Sequence, residues 1–316
     1  MNGPDLPKPQ VAVLVPAFNE GLTIESVVTE FANCLPQATI YVYDNNSTDH
    51  TVEAAKAAGA TVRTEKRQGK GNVVRRMFAD IDADIYLMVD GDATYDATAA
   101  PRLIAELLSG PYDMVNAARV ARHDQAYRSG HLLGNRLLTN LVRYTFGNAT
   151  DDMLSGYKAF SNRYAKSFPA MSRGFEIETE LVVHALQLRM PLSEIEAPYK
   201  ERPVGSMSKL NTYRDGFRIL RLIGFLIKEE RPMAFFCILS VIMAFLSITV
   251  GTPVIIEFLE TGLVPRLPTA VLAVSLMLSA LLSVSCGFIL DSVARGRREI
   301  KRLAYLQLRP PCHTPR

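Results

Sequence analysis

The chain has 316 residues, with 35 basic and 32 acidic side chains (net charge +3), 48% hydrophobic residues and 21% charged ones. That length has room for about two domains. The composition is slightly too apolar for an ordinary soluble enzyme and too polar for a many-span transporter, so a soluble domain joined to a few membrane spans fits it.

The charge is unevenly distributed. Residues 1–199 carry 19 basic and 24 acidic side chains, 200–231 carry 8 and 4, 232–290 carry 1 and 2, and 291–316 carry 7 and 2. Positive charge therefore flanks the apolar part, which suits an anionic cytoplasmic leaflet and not a nucleic-acid surface. The four cysteines, Cys34, Cys237, Cys286 and Cys312, form no CxxC and have no histidine at metal-ligand spacing. Neither a disulfide framework nor a zinc site is indicated, and a reducing compartment is expected. The opening MNGPDLPKPQ is polar and proline-rich; it lacks the apolar core of a secretory signal, so the soluble part is expected in the cytoplasm.

In chain order, short β-branched runs predict strands at Val11–Val15, Ile40–Tyr43, Thr61–Thr64, Ile85–Val89 and Met114–Ala117. Helical patterns fill the gaps at Leu22–Leu35, Thr51–Ala58, Gly71–Asp80 and Thr98–Leu108. This alternation predicts an α/β fold, a mostly parallel sheet with helices on both faces. Ligands of such sheets sit at the carboxyl ends of the strands. Past Arg122 the pattern turns more helical, with a helix over Glu178–Arg189 and a strand over Leu192–Glu196. Tyr213–Ile227 reads as an amphipathic helix, apolar on one side and carrying Arg214, Arg218 and Arg221 on another, which suits an interfacial membrane helix or, alternatively, a helix packed on the sheet domain.

Pro232–Ile256 and Leu267–Leu290 are uncharged apolar runs, each long enough to cross a hydrocarbon core of roughly 30 Å. Lys228 and Arg231 precede the first; Arg295, Arg297, Arg298, Lys301 and Arg302 follow the second. The positive-inside rule then puts both flanks in the cytoplasm.

Three polar clusters follow predicted strands: Pro16-Ala17-Phe18-Asn19-Glu20, Asp44 to Asp49 (DNNSTD) and Asp90-Gly91-Asp92. Two carboxylates separated by a glycine at a strand end can hold one hard divalent cation, Mg²⁺ or Mn²⁺, with phosphate oxygens completing its shell. Arg67-Gln68-Gly69-Lys70-Gly71-Asn72 opens a helix with a Gly-Lys-Gly turn. It reads either as a phosphate-binding turn, through its backbone N–H groups and Lys70, or as a plain turn.

VPAFNE, YDNNSTDHT, the GKG turn, DGD and DMLSGYKAFS, in this order, resemble the family 2 glycosyltransferases of the GT-A fold. The branch they look most like is that of the dolichyl-phosphate mannose synthase-like enzymes, which includes bacterial polyprenyl-phosphate glucosyltransferases with two carboxy-terminal spans. The resemblance runs from Val11 to Asn211, and the spans extend it.

That resemblance implies roles. Pro16, Phe18, Glu20, Asp44 and Asn46 would line the nucleotide-sugar pocket, with Lys70 near the nucleotide. Asp90 and Asp92 would hold the metal bridging the diphosphate, and Asp90 would also reach ribose or sugar. Asp152, Ser155 and Lys158 would sit near the acceptor and the anomeric carbon. Family members often carry Arg where Lys158 stands, which leaves its role open. Arg202, Ser208 and Lys209 belong to a loop that in similar enzymes places cations against phosphates; Arg119 and Arg136 are further cationic candidates. Glu176, Glu178 and Glu180 either face the site or complement a helix macrodipole.

The expected reaction is an inverting, metal-dependent transfer of a hexose from a UDP- or GDP-linked sugar to a polyprenyl phosphate. The alternatives are a hydroxyl acceptor on another lipid or glycan, or a catalytically silent membrane scaffold. A polyprenyl phosphate, with a second pKa near 6, needs no strong base, so Asp152 would orient it; with a hydroxyl acceptor, Asp152 must take a proton. The expected division is a GT-A domain over 1–211, an interfacial helix over 212–231, a two-helix anchor over 232–290 and a basic cytoplasmic tail over 291–316. The protein is expected as a multi-pass protein of the inner membrane, its catalytic domain facing the cytoplasm. Expected partners are the donor, the acceptor, membrane lipids and a second copy of the chain, the last through close approach at Gly251 or Gly287, with no nucleic acid.

Overall fold

A computed structural model describes residues 9–121, 150–203 and 231–309, together with Arg221, Gly224 and Lys228. The chain divides into two compact units, one of residues 1–220 with 301–316 and one of residues 221–300.

The first unit is built on a seven-stranded sheet: β1 (Val11–Ala17), β2 (Thr39–Asp44), β3 (Thr61–Thr64), β4 (Ile85–Met88), β5 (Met114–Ala121), β6 (Lys158–Ser161) and β7 (Leu192–Tyr199). The spatial order is β3-β2-β1-β4-β6-β5-β7. All neighbours run parallel except β6, which pairs antiparallel with both β4 and β5. Helices α1 (Ile24–Cys34), α2 (Thr51–Ala57), α3 (Lys70–Asp80), α4 (Ala100–Ser109), α5 (Asn162–Ser167) and α6 (Ile177–Gln187) connect and cover the strands. The five strands expected upstream form where the β-branched runs lie.

Strand β6 departs from expectation. Its four residues are all buried, because it lies inside the sheet with covered faces on both sides, so it lacks the alternation that marks a half-exposed strand. Strands β5 and β7 also run on past the expected ends, to Ala121 and Tyr199, paired residue by residue in register. The core combines Val13, Val15, Val42, Leu87 and Val115 with Val27, Val28 and Phe31 of α1 and Leu103 and Leu107 of α4. Helix α6 is buried from Ile177 to Ala185, which draws two acidic side chains of its first turns inside the protein.

The second unit contains most of two long helices, α7 (Pro232–Thr261) and α8 (Leu267–Gln307), each long and apolar enough to cross a membrane by length and composition. They present a largely exposed apolar surface: Val241 and Phe245 are each 68% exposed and Leu259 is 77% exposed, which lipid would cover at no desolvation cost. Ser247 Oγ donates to the Ala273 carbonyl across the pair at 2.7 Å. Gly251 packs on Ala273, and Gly287 on Phe236 and Met233. Both glycines expected as close-approach points lie at contacts between the two helices of this chain. Helix α8 continues to Gln307, through most of the stretch expected as a basic cytoplasmic tail.

Candidate active site

The polar clusters do converge at the carboxyl ends of the parallel strands. The loops after β1 and β2 are stitched together. Asn19 N–H donates to Ser47 Oγ and Glu20 N–H to Thr51 Oγ1, each at 2.9 Å, while Thr48 N–H donates to Asn19 Oδ1 at 2.8 Å. Glu20 is buried beside Thr23, whose hydroxyl donates to the Gly91 carbonyl at 2.7 Å and so ties the first loop to the Asp-Gly-Asp turn. Asp44, ending β2, is 5% exposed and accepts from Ser47 N–H at 3.2 Å. Pro16 and Phe18 are half-buried at the end of β1. Asn46 spends its amide on the Lys66 carbonyl and Gln68 Oε1 at 2.9 and 3.1 Å, holding the following loop.

The Gly-Lys-Gly turn is a close-approach joint. Gly69 N–H donates to Asn45 Oδ1 at 2.6 Å and Gly71 N–H to the Arg173 carbonyl at 3.1 Å, so both glycine donors are committed within the protein and not held out for a phosphate. A methyl at either position would collide with the carbonyls of Arg173 or Ser172, and Gly69 also has φ +124°. Between these glycines Lys70 turns inward. Its ammonium donates to Asp90 Oδ1 at 2.5 Å and lies 2.5 Å from Glu178 Oε1. Burial works against the charge, but Asp90 and Glu178 outweigh it and raise the Lys70 pKa above its ordinary value. Burial in turn raises the Glu178 pKa, opposed by Lys70 and Lys158.

The three acids of the GFEIETEL stretch separate clearly. Glu176 Oε1 accepts from Gly174 N–H at 3.1 Å, and Glu180 accepts from Met171 and Ser172 N–H at 2.7 Å each. Glu178 alone reaches the site side chains.

Asp92 is 4% exposed; its Oδ1 accepts from Thr94 Oγ1 at 2.6 Å and its Oδ2 from Arg202 Nη2 at 2.5 Å. Asp90 is more open, its side chain 31% exposed. Among the described residues no group of three His, Cys, Asp or Glu could hold a metal. Asp90 is thus the more open hard carboxylate that could meet a divalent cation whose other ligands are phosphate oxygens and water, with Asp92, its oxygens held by Thr94 and Arg202, two residues on.

Asp152 is clamped by Arg119 of β5. Arg119 Nε donates to Oδ2 at 2.6 Å, Nη2 to Oδ1 at 2.8 Å, and the Arg119 backbone N–H to Oδ2 at 3.2 Å. The Arg119 guanidinium also lies over the Tyr199 ring, 5.4 Å from its centre. Asn116, two residues before Ala118 on the same strand, donates to the Asp152 carbonyl and to Glu194 Oε2 at 2.9 and 2.6 Å, and accepts from Lys158 Nζ at 2.5 Å. Lys158 is fully buried. Burial lowers its pKa from 10.5 to about 8, against the support of Glu178, Asp152 and Glu194. Ser155 is buried as well, its hydroxyl accepting from Tyr157 N–H at 3.2 Å.

Of the expected site residues, Pro16, Phe18, Glu20, Asp44, Asn46, Lys70, Asp90, Asp92, Asp152, Ser155, Lys158 and Arg202 are placed around this edge. Arg136, Ser208 and Lys209 lie outside the described residues, as does the Tyr213–Ile227 stretch apart from Arg221 and Gly224. The structure adds partners that the motifs do not announce. They are Thr94 on Asp92, Tyr95, whose OH accepts from Gly156 N–H at 2.7 Å, and Asn116 with Glu194 around Asp152. Arg119 is among the cationic candidates of the sequence; for Asn116 the one signal is a polar residue inside an apolar strand.

Residues 12–167 match the family described as "Glycosyl transferase family 2". A Shigella flexneri protein described as uncharacterized is 55% identical over 49% of this chain and 94% of its own length. Glycosyltransferase AglJ of Haloferax volcanii is 35% identical, over 73% of this chain and 77% of its own. The dolichyl-phosphate hexose transferase of the same organism is 24% identical over 70% and 95%. Among solved structures, glucosyl-3-phosphoglycerate synthase from Mycobacterium tuberculosis in complex with Mn²⁺, UDP-glucose and phosphoglyceric acid superimposes with a TM-score of 0.54 at 26% identity, covering 68% of this chain and 80% of that one. With motifs, sheet and relatives in agreement, the chain belongs to glycosyltransferase family 2, has the GT-A fold and is a glycosyltransferase.

Proposed function

We propose that the protein transfers a hexose from a UDP- or GDP-linked sugar to a polyprenyl phosphate at the cytoplasmic face of the membrane, with inversion at the anomeric carbon. The observation that carries this reading is the Arg119 clamp on Asp152. Both carboxylate oxygens are engaged by the guanidinium, and accepting a proton there would give up a bidentate, charge-assisted pair. A hydroxyl acceptor needs a base to take its proton; a phosphate monoester, largely ionised at neutral pH, does not. The two apolar helices and the dolichyl-phosphate hexose transferase relative support a lipid acceptor.

In this reading the acceptor phosphate oxygen forms the new bond to the anomeric carbon while the bond to the nucleoside diphosphate breaks, in one displacement. Pro16, Phe18, Glu20 and Asp44 shape the nucleotide end of the pocket. Asp90 and Asp92 would hold Mg²⁺ or Mn²⁺, which supplies charge neutralisation on the diphosphate; the M. tuberculosis neighbour, solved with Mn²⁺ and UDP-glucose, supports such a group. Arg202, next to Asp92, adds positive charge at the same place, and Ser208 and Lys209 are assigned the same phosphate-facing role. Asp152 with Arg119 and Lys158 orients the acceptor, the cations drawing in its phosphate. Residues 1–211 carry the chemistry, 212–231 lie at the interface and 232–290 anchor the chain.

Purified protein in detergent, given undecaprenyl phosphate or diacylglycerol with UDP- and GDP-sugars and Mg²⁺ or Mn²⁺, tests this directly. The expected product is a glycosyl phospholipid formed from one donor, absent with Asp92→Ala. Transfer to diacylglycerol in preference to the phosphate would overturn the acceptor.

A further inference from the structure

Lys70 carries one positive charge and is held between two carboxylates. Its Nζ is 2.5 Å from Asp90 Oδ1 and 2.5 Å from Glu178 Oε1. Exposure grades across the three: 31% for the Asp90 side chain, 8% for Lys70 and 6% for Glu178. The Glu178 carboxylate is compensated by its ion pair with Lys70, 2.5 Å away, and more weakly by the charge of the buried Lys158. A second carboxylate is not needed to bury Lys70, because Asp90 alone would pair it. Burying one more anion costs several kcal/mol before compensation, and such an expense calls for another explanation.

Charge balance supplies it. A lysine paired with Asp90 alone would cancel the negative charge of that carboxylate and weaken its hold on any cation arriving from the open side. With Glu178 behind it, Lys70 is already neutralised, and Asp90 keeps a full net charge while its orientation stays fixed by the Lys70 hydrogen bond. Gly156 closes the other side of Asp90, where an added methyl group would meet the carboxylate.

We propose that Glu178 is a positioning residue of the donor site, which neutralises Lys70 so that Lys70 orients Asp90 without cancelling the charge Asp90 offers to a divalent cation and its diphosphate. This rests on the proposed role of Asp90 in donor binding. It concerns a residue that touches neither donor nor acceptor in that scheme.

The test is binding, read without turnover. Mn²⁺ affinity is measured by electron paramagnetic resonance in the presence of UDP, and separately of GDP, on full-length protein in detergent. Glu178→Gln keeps shape and removes charge, and it is expected to weaken Mn²⁺ binding at least fivefold. Lys70→Met combined with Glu178→Gln removes both inner charges, and although it also gives up the bond that orients Asp90 it is expected to bind Mn²⁺ at least twofold more tightly than Glu178→Gln alone. A role confined to stability would lower the melting temperature of Glu178→Gln and leave its Mn²⁺ affinity unchanged, which would overturn the proposal. Equal weakening in the single and double variants would overturn it too. Should Glu178→Gln not fold, Glu178→Asp carries the test: it keeps the charge, so binding stays within threefold of wild type, and a loss above tenfold sinks the idea. A wild type that binds Mn²⁺ with neither nucleotide would instead overturn the role of Asp90 itself, so the two failures are distinguishable.

Discussion

Gly156 packs so closely against Asp90 that a single added methyl group would land on the Asp90 carboxylate. The glycine is fixed from its other side, where its N–H donates to the buried Tyr95 hydroxyl at 2.7 Å. Asp90, the more exposed carboxylate of the Asp-Gly-Asp turn, is therefore held between Lys70 and a backbone segment that lies only four residues after Asp152. Gly156→Ala is expected to displace Asp90 while leaving the β-sheet intact. Activity should fall by about a hundredfold, the scale on which ångström misplacement is felt, with an unchanged far-ultraviolet circular dichroism spectrum. Wild-type turnover in Gly156→Ala would show that Asp90 can shift freely.

Arg119 and Asp152 should behave as one unit. If Asp152 orients the acceptor only while clamped, Arg119→Gln will lower kcat/KM about as far as Asp152→Asn, and the double variant will fall little further. A double-mutant cycle on initial rates reads this as strong non-additivity. If Asp152 is instead the base for a hydroxyl acceptor, Asp152→Asn will be far more damaging than Arg119→Gln, by the 10²–10⁴ factor typical of general-base loss.

Much of this site could be read from the chain because the chemistry follows buried strands. The runs VAVLV, IYVY and IYLMV announce β1, β2 and β4, and the polar residues after each arrive at one edge as a parallel sheet requires. What could not be read depends on packing between distant segments. KAFS gives no strand signal, since all four residues of β6 are buried. The Gly-Lys-Gly turn carries glycines because the Ser172 and Arg173 carbonyls pass over it, a reason that residue types alone cannot separate from phosphate binding. Residue type does not separate Glu178 from Glu176 and Glu180; only the packing around α6 does, with Glu176 and Glu180 bound to loop N–H groups and Glu178 paired with Lys70.

Lys158 gives a pH signature. Burial brings its pKa from 10.5 to about 8, so between those values the unfolded chain binds a proton that the folded protein has released. Stability linked to this group therefore rises with pH across the window and carries its full penalty below about pH 8. Subtracting the unfolding free energies of Lys158→Met from those of wild type isolates the group. The difference should rise with pH by about 1.4 kcal/mol per unit inside the window and be flat below it. Function runs the other way: as Lys158 loses its charge above pH 8 the acceptor phosphate loses an attractive partner. The KM for polyprenyl phosphate should climb there in wild type and stay level in Lys158→Met. A flat wild-type KM from pH 7 to 9.5 would remove Lys158 from acceptor binding.

The end of α8 offers a separate prediction, because residues from Lys301 onward belong to the sheet unit. Tyr305, 3% exposed, donates its hydroxyl to Asp113 Oδ2 at 2.6 Å. Asp113 is fully buried at the entry to β5 and also accepts from Ser161 at 2.7 Å and from Arg163 through Nε at 2.5 Å and Nη2 at 2.8 Å. The Arg163 and Arg302 guanidinium groups lie over the Tyr305 ring at 4.6 and 4.9 Å from its centre, and Arg302 Nη1 donates to the Leu188 carbonyl at 2.5 Å. Tyr305→Phe keeps the ring and both cation contacts but removes one hydrogen bond to a buried carboxylate, a loss of about 1.5–3 kcal/mol. Tyr305→Ala adds the loss of the aromatic surface and should cost about 3–5 kcal/mol in all. Denaturant unfolding followed at β5, through hydrogen exchange of the Asn116 and Ala117 amides, checks both. Equal protection in wild type and Tyr305→Ala would mean that the C-terminal turns of α8 rest on the domain without supporting it.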